Sequence, residues 1–463
     1  MRSQGYSNMF TVNSKILAIL SAAALALSTS VWAAPGDIFY VDQNHPNASD
    51  NNPGTESAPW KTIQKAANTL EAGEKVYVKT GVYKELEVYP NSGVLGLKPK
   101  KSGQPGNPIV YEAYPGDQVI IDQNYEGAGF YIFGFDFITI RGFEIRNAMR
   151  AGVHTTATSE GIVVESNNIH HILWNSGSNI GAIKFDGCLN CIARNNRLHD
   201  VYANGIADPR DYDNIAGVHS YDMENTLIEH NEIWRVYNGV FHKRSTGRKG
   251  TIIRRNKIYD VHWGVRYSVG GRGDPAHLNQ EVYENLIYSV DSRPVKIGIN
   301  AHVQETGTQS TGLKIHNNVF IAETGMQIRG FTGIEIWDNI LVQDTSGNVA
   351  IRLDSTLNDK STSADYIDNN IYYIGEYFVV NGYAQDRIDY TSLSSWRSQT
   401  NNDLRSQVNN PMFVGQGTVE DYYRLQAGSP GKAAGRFGSD IGLYPNGTGT
   451  VGIANIPKAP QPY

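Results

Sequence analysis

The feature that most constrains this chain is a short phrase, apolar–x–x–Asn–x–apolar, that keeps returning along its middle. Its Asn residues are Asn147, Asn168, Asn196, Asn231, Asn256, Asn285, Asn318, Asn339 and Asn370. The spacing never falls below the 21 residues between Asn318 and Asn339, and it varies only upward. Such a period is that of a coil of fixed minimum length with insertions. The surrounding text is strand-like. Gly250-Thr-Ile-Ile-Arg-Arg-Asn256 and Gly333-Ile-Glu-Ile-Trp-Asp-Asn339 alternate apolar and polar residues, and no helical periodicity runs between the repeats. Asn tolerates left-handed backbone and hydrogen-bonds its neighbours, so Asn at one turn of every coil predicts a ladder of stacked amides. The expectation is an all-β parallel β-helix with three short strands per coil and rungs about 4.8 Å apart. A propeller blade would need a longer repeat, around 40 residues.

Composition limits what this solenoid can do. Two Cys in 463 residues exclude a disulfide scaffold and a multi-Cys zinc module, and a net charge of −6 argues against nucleic acid as the partner. Residues 1–33 read as a signal peptide: Arg2 and Lys15 precede an apolar Ile16–Val31 stretch, with small residues before a cut near Ala33. No later segment is long and apolar enough to span a bilayer, so a secreted or periplasmic monomer with no membrane partner is expected. Residues 34–380 form the β-helix domain. Within Ser57–Leu70, Trp60, Ile63, Ala67 and Leu70 make one apolar stripe, which predicts an N-terminal capping helix with Ser57 as N-cap. Residues 381–463 lose the repeat and are expected to cap the other end.

Strands that open after a Gly align an apolar residue with a basic one. Examples are Gly152-Val-His154, Gly181-Ala-Ile-Lys184, Gly217-Val-His219, Gly239-Val-Phe-His242, Gly264-Val-Arg266 and, after a Pro, Pro294-Val-Lys296. Alternation turns the apolar member inward and the basic one outward. The expectation is one exterior column of His154, Lys184, His219, His242, Arg266 and Lys296, thickened by Lys243 and Arg244. Like charges one rung apart repel, so a cationic column in an acidic protein points to a groove for an anionic polymer.

Phe39-Tyr-Val-Asp42, Asn52-Pro-Gly54, Ala58-Pro-Trp60, Thr62–Ala66 and Gly73–Tyr83 resemble the opening of secreted right-handed parallel β-helix proteins of the pectate-lyase-like superfamily. Asn410–Phe413, Gly428-Ser-Pro430 and Asp440–Tyr444 resemble their closing segments. The cluster Phe241-His-Lys-Arg-Ser-Thr-Gly247, followed a coil later by Val265-Arg-Tyr267, resembles the Lys and Arg pair of chondroitinase-B-like and alginate lyases (polysaccharide lyase family 6). The resemblance implies a right-handed helix, Lys243 as base and Arg266 as its assistant. Similar proteins that use calcium (Ca2+) carry acidic ligands just before the Lys, whereas Tyr237–Val240 has no carboxylate.

The chemistry rewards such clustering. β-Elimination removes a uronate proton that is very weakly acidic until the neighbouring carboxylate is neutralised, and Arg suits that task. Lys must fall from about 10.4 to about 8 to act as base, roughly 3 kcal/mol of differential destabilisation. Arg244, Arg266 and His242 would push it that way. His219, His242 and Tyr267 are alternative acids or bases; Lys184, Arg244, Lys296, His154 and Arg272 are the expected polymer contacts. The function expected is a lyase on a uronate polysaccharide such as alginate or a glycosaminoglycan. The alternatives are an epimerase, for which Asn204–Pro209 loosely resembles an Asp-Pro-His motif; a hydrolase using Asp222 and Glu224; and a non-catalytic binding β-helix. Cys188 and Cys191 are expected as a local disulfide or two buried thiols.

Overall fold

The computed structural model describes residues 36–446 except 89–94, 157, 175–178, 204, 206–207, 209–210, 244–249, 270–275, 291–293, 304–307, 344–348, 355–360, 374–376 and 382–386. The expected leader at 1–33 and the end of the chain lie outside the described residues. The strands form three long sheets of 12, 12 and 13 strands, each ordered by steps of one coil. Nearly every ladder is parallel. Each coil gives one strand to each sheet, and the side chains between the sheets make one continuous apolar core.

The Asn ladder is present, with its first members moved. Asn167, Asn196, Asn231, Asn256, Asn285, Asn318, Asn339 and Asn370 are buried at the turn between the first and second sheets. From Asn167 to Asn339 the backbone N–H and side-chain amide donate to the Asn Oδ1 one coil on, as in Asn231 N to Asn256 Oδ1 at 3.0 Å and Asn256 N to Asn285 Oδ1 at 3.0 Å, and Asn370 ends the ladder on Ser406 and Asp403. Asn168 is instead on the second sheet, and Asn147 bonds Asp122. The left-handed residue is the one before each ladder Asn (His230, Arg255, Glu284), so many residue types serve there, while the buried amide is what the turn requires.

A second column fixes the register of the third sheet. Gly217, Gly239, Gly264, Gly298 and Gly325 stack where strand backbones approach one another. A Cβ on Gly239 would lie 2.5 Å from the Gly264 carbonyl oxygen and 2.6 Å from Ile258 Cγ2. The next residue points inward (Val218, Val240, Val265, Ile299) and the one after it outward.

The outer face of the first sheet carries an alternating charge ladder. Glu112, Arg141, Glu165, Arg194, Glu229 and Arg254 occupy successive rungs. Their contacts include Arg141 Nε to Glu165 at 2.6 Å, Arg194 Nε to Glu165 at 2.6 Å and Arg254 Nε to Glu229 at 2.8 Å.

Both ends differ from the simplest expectation. The N-terminal helix is Ile63–Thr69 with Thr62 as N-cap. It starts later than Ser57 because Trp60 bonds Tyr40 in a bridge, and Asp50 accepts from Lys61 N and Thr62 N. Trp60, Ile63, Ala67 and Leu70 enter the core as the stripe predicts, joined by Ala66. At the other end the helix Leu393–Thr400 buries Trp396, whose Nε1 donates to Asp403 at 2.8 Å. Among the described residues of the expected cap, the segment 411–446 packs along the side of the coil. Ile441, Leu443 and Tyr444 cover Leu286, Val319, Ile340 and Ile371 on the outside of the second sheet.

Replacing Asn256 by Ala leaves the Asn231 N–H and amide without their acceptor in a site closed to water. A loss of about 3 kcal/mol is expected, read as a lower urea midpoint with unchanged m-value; a change below about 0.5 kcal/mol would remove the ladder from the stability of the coil.

Candidate active site

The outward column of the third sheet reads Tyr131, His154, Lys184, His219, Phe241, Arg266, Asn300, Gln327 and Arg352. Four expected members hold their place: His154, Lys184, His219 and Arg266. His242 and Lys296 do not. Counting from Gly239, the outward residue is Phe241, so His242 points into the core with Ser220 and Tyr267. The glycine of the Lys296 coil is Gly298, so Asn300 takes the column position and Lys296 pairs with Glu323 at the edge. Tyr267 is fully buried for the same reason as His242. Arg244 and Arg272 lie outside the described residues.

Burial separates the remaining cations. Lys184 is only 2% exposed and forms an ion pair with Asp186, which also bonds His154 Nε2 at 3.2 Å. This buried trio is internally compensated, so Lys184 and His154 are withdrawn from any polymer at the surface. Burial pushes the His154 imidazole down to about 4 and lowers Lys184, while Asp186 stays ionised beside its two basic partners. His219 is outward but completely covered; both ring nitrogens lack a hydrogen-bond partner among the described residues, and burial followed by Lys243 and Lys184 lowers its pKa.

Lys243 and Arg266 are the cations that share the site surface. Lys243 directly follows the strand Val236–His242, and its Nζ donates to Asn179 Oδ1 at 2.6 Å and Asn214 Oδ1 at 2.5 Å. Arg266 Nη1 donates to the Asp213 carbonyl at 3.0 Å and lies 3.6 Å from the Asp213 carboxylate. The two meet at Phe241, whose ring centroid is 4.8 Å from Lys243 Nζ and 4.2 Å from Arg266 Cζ. Trp263 packs on the guanidinium at 4.3 Å. Burial, then Arg266, pulls the Lys243 ammonium down to about 8, while Arg266 keeps its charge against the carboxylate of Asp213. Asn179 and Asn214 carry no signal in the sequence because they lie just before strands, where no repeat marks them.

No trio of His, Cys, Asp or Glu among the described residues is arranged to hold a metal ion. The oxygens that contact Lys243 Nζ are side-chain amide oxygens occupied by its own N–H bonds. Asp222 and Glu224 lie in the turn after the strand Ile215–Tyr221, where Glu224 N bonds Cys188 O. Cys188 and Cys191 form the local disulfide.

Comparison with known proteins agrees with this architecture. A family model described as the Pel9A-like right-handed β-helix region matches residues 39–226. The uncharacterized protein YwoF of Bacillus subtilis (strain 168) is 25% identical over 86% of this chain and 92% of its own length. Pectate lyase PEL9 of Emericella nidulans is 38% identical over 21% of this chain and 20% of its own length. In three dimensions the crystal structure of pectate lyase Pel9A superposes with a TM-score of 0.58 at 15% identity, covering 89% of this chain and 97% of that one.

Four buried imidazoles (His154, His219, His242 and His277) have folded pKa values below the ordinary 6.5 because burial penalises their charge. The unfolded chain therefore binds more protons, and stability falls as pH drops from about 6.5 toward 4, by up to about 1.4 kcal/mol per pH unit for each imidazole. Urea midpoints at pH 7 and pH 5 check this, compared with a His277→Phe variant that lacks one of the rings; an equal pH dependence in the two proteins would remove that imidazole from the effect.

The coils, their register and these likenesses lead to one assignment: the chain folds as a right-handed parallel β-helix, and its residues 39–226 match the Pel9A-like right-handed β-helix region.

Proposed function

We propose that this protein is an exported polysaccharide lyase that cleaves a polyuronate by β-elimination, with a galacturonate polymer as the first substrate to test. The observation that carries the reading is the pair of cations at Phe241: a partly buried lysine brought to about 8, and a permanently charged arginine one coil further on. Uncharged Lys243 takes the proton next to the sugar carboxylate, whose growing negative charge Arg266 neutralises. The electron pair left by the C5–H bond forms the C4–C5 double bond as the C4–O4 bond breaks, and water protonates the leaving oxygen. The likeness to pectate lyases supports galacturonate over the alginate or glycosaminoglycan suggested by the Lys and Arg motif alone. The leader-like residues 1–33 and the disulfide support export to an oxidising compartment.

Turnover, followed as ultraviolet absorbance of unsaturated ends, is expected on polygalacturonate. Alginate, chondroitin, hyaluronan and glucuronan serve as comparisons. The rate should rise with pH through about 8, as Lys243 loses its proton. Lys243→Ala is expected to lower the rate about a thousandfold, and Arg266→Lys about a hundredfold, with folding intact. New reducing ends without that absorbance would make the protein a hydrolase; a changed sugar composition without cleavage would make it an epimerase.

A further inference from the structure

An amine that is to act as a base needs more than a lowered pKa: its lone pair must point at the proton. Uncharged Lys243 has two N–H bonds and one lone pair. Its Nζ contacts two side-chain carbonyls, Asn179 Oδ1 at 2.6 Å and Asn214 Oδ1 at 2.5 Å. We propose that Asn179 and Asn214 are positioning residues that accept both N–H bonds of the uncharged amine and thereby direct its lone pair into the groove. The proposal rests on the reading of Lys243 as the base.

The placement is built rather than incidental. Asn179 and Asn214 directly precede the neighbouring strands Ile180–Asp186 and Ile215–Tyr221, one coil apart, and Ile180 N bonds the Asn214 carbonyl at 3.2 Å. Asn179 Oδ1 also accepts from Tyr221 Oη at 2.9 Å, so two donors converge on it and only the carbonyl side of that amide fits there. Amide carbonyls serve a lysine that must lose its proton, because they satisfy N–H bonds without the full charge that would hold an ammonium. The other groups facing Lys243 are Arg266 from the next coil, Lys184, Asp186, His219 and Tyr221 from the preceding coils, and Asp213 beside Asn214. Asp213 is held by Arg266, and among the described residues the two amides are the hydrogen-bond partners of Nζ.

Two kinds of variant act in opposite directions. Asn179→Asp and Asn214→Asp keep the shape but supply a carboxylate, which should move the acid limb of kcat up by about one pH unit. Asn214→Leu removes an acceptor; it should move the limb down and lower kcat about a hundredfold with KM within about twofold. A purely structural role would give losses in both classes without opposed pH shifts. The second readout is independent of turnover: the pH dependence of Lys243 acetylation by acetic anhydride, measured by mass spectrometry in the full chain. Opposed shifts of the limb and of the acetylation midpoint support the proposal. An unmoved limb and midpoint in both Asp variants, with Lys243→Ala inactive, would overturn it while leaving Lys243 as the base. If wild-type protein forms no unsaturated ends on any polyuronate, the reading of the base fails, and the acetylation midpoints alone decide whether the amides govern the amine.

Discussion

The hydrogen bond from one buried asparagine to the asparagine a coil further on is the constraint from which the rest follows. Parallel strands a rung apart have little local reason to choose one register over another, because the coils are joined by turns of varying length. A buried amide with two donors and one acceptor cannot slip by a residue without leaving polar atoms unpaired away from water. Asn231, Asn256 and Asn285 therefore act as fixed marks, and insertions between coils do not disturb the order of the side chains. The glycine column does the same on the third sheet by sterics, since any Cβ at Gly239 or Gly264 would collide with the neighbouring backbone.

With register fixed, the electrostatics of each face is set one residue per rung. On the first sheet glutamate and arginine alternate and neutralise each other. On the third sheet the outward residues are cationic, amide or aromatic, and the carboxylates present compensate particular partners: Asp186 faces Lys184, and Asp213 faces Arg266. Charge is thus concentrated where a polymer would be gripped, and the excess of positive side chains is far smaller than a list of basic residues suggests. Burial contributes as much as sign does. It withdraws Lys184 and His154 from the surface, and it brings Lys243 into a range where a proton can be given up.

The coil, the three sheets and the stripe of the first helix were legible in the sequence, because each rests on periodicity or on residue type, and the closeness of Lys243 to Arg266 was suggested by a family resemblance. Two errors share one cause. His242 and Lys296 were assigned outward from the nearest basic residue after a turn, whereas the register runs from the glycine through one inward residue; Gly239-Val-Phe241 and Gly298-Ile-Asn300 obey that rule. The same rule sends His242 and Tyr267 inward. The ladder was displaced at its start because Asn168 sits beside the true position at Asn167, while Asn147 belongs to the next turn of a coil whose ladder position is held by Phe143; an amide on the surface looks the same in sequence as one in the core. Asn179 and Asn214 carried no signal, since a lone Asn before a strand is ordinary turn chemistry.

The glycine–inward–outward rhythm of the third sheet separates two jobs that most folds entangle. The inward residue holds the core, and the outward residue of the same strand can change with little consequence for it. Phe241 holds an outward position among histidine, lysine and arginine. Selection on diet or habitat can therefore rewrite what a scaffold of this kind recognises one rung at a time, much as type is reset in a frame whose spacing never alters.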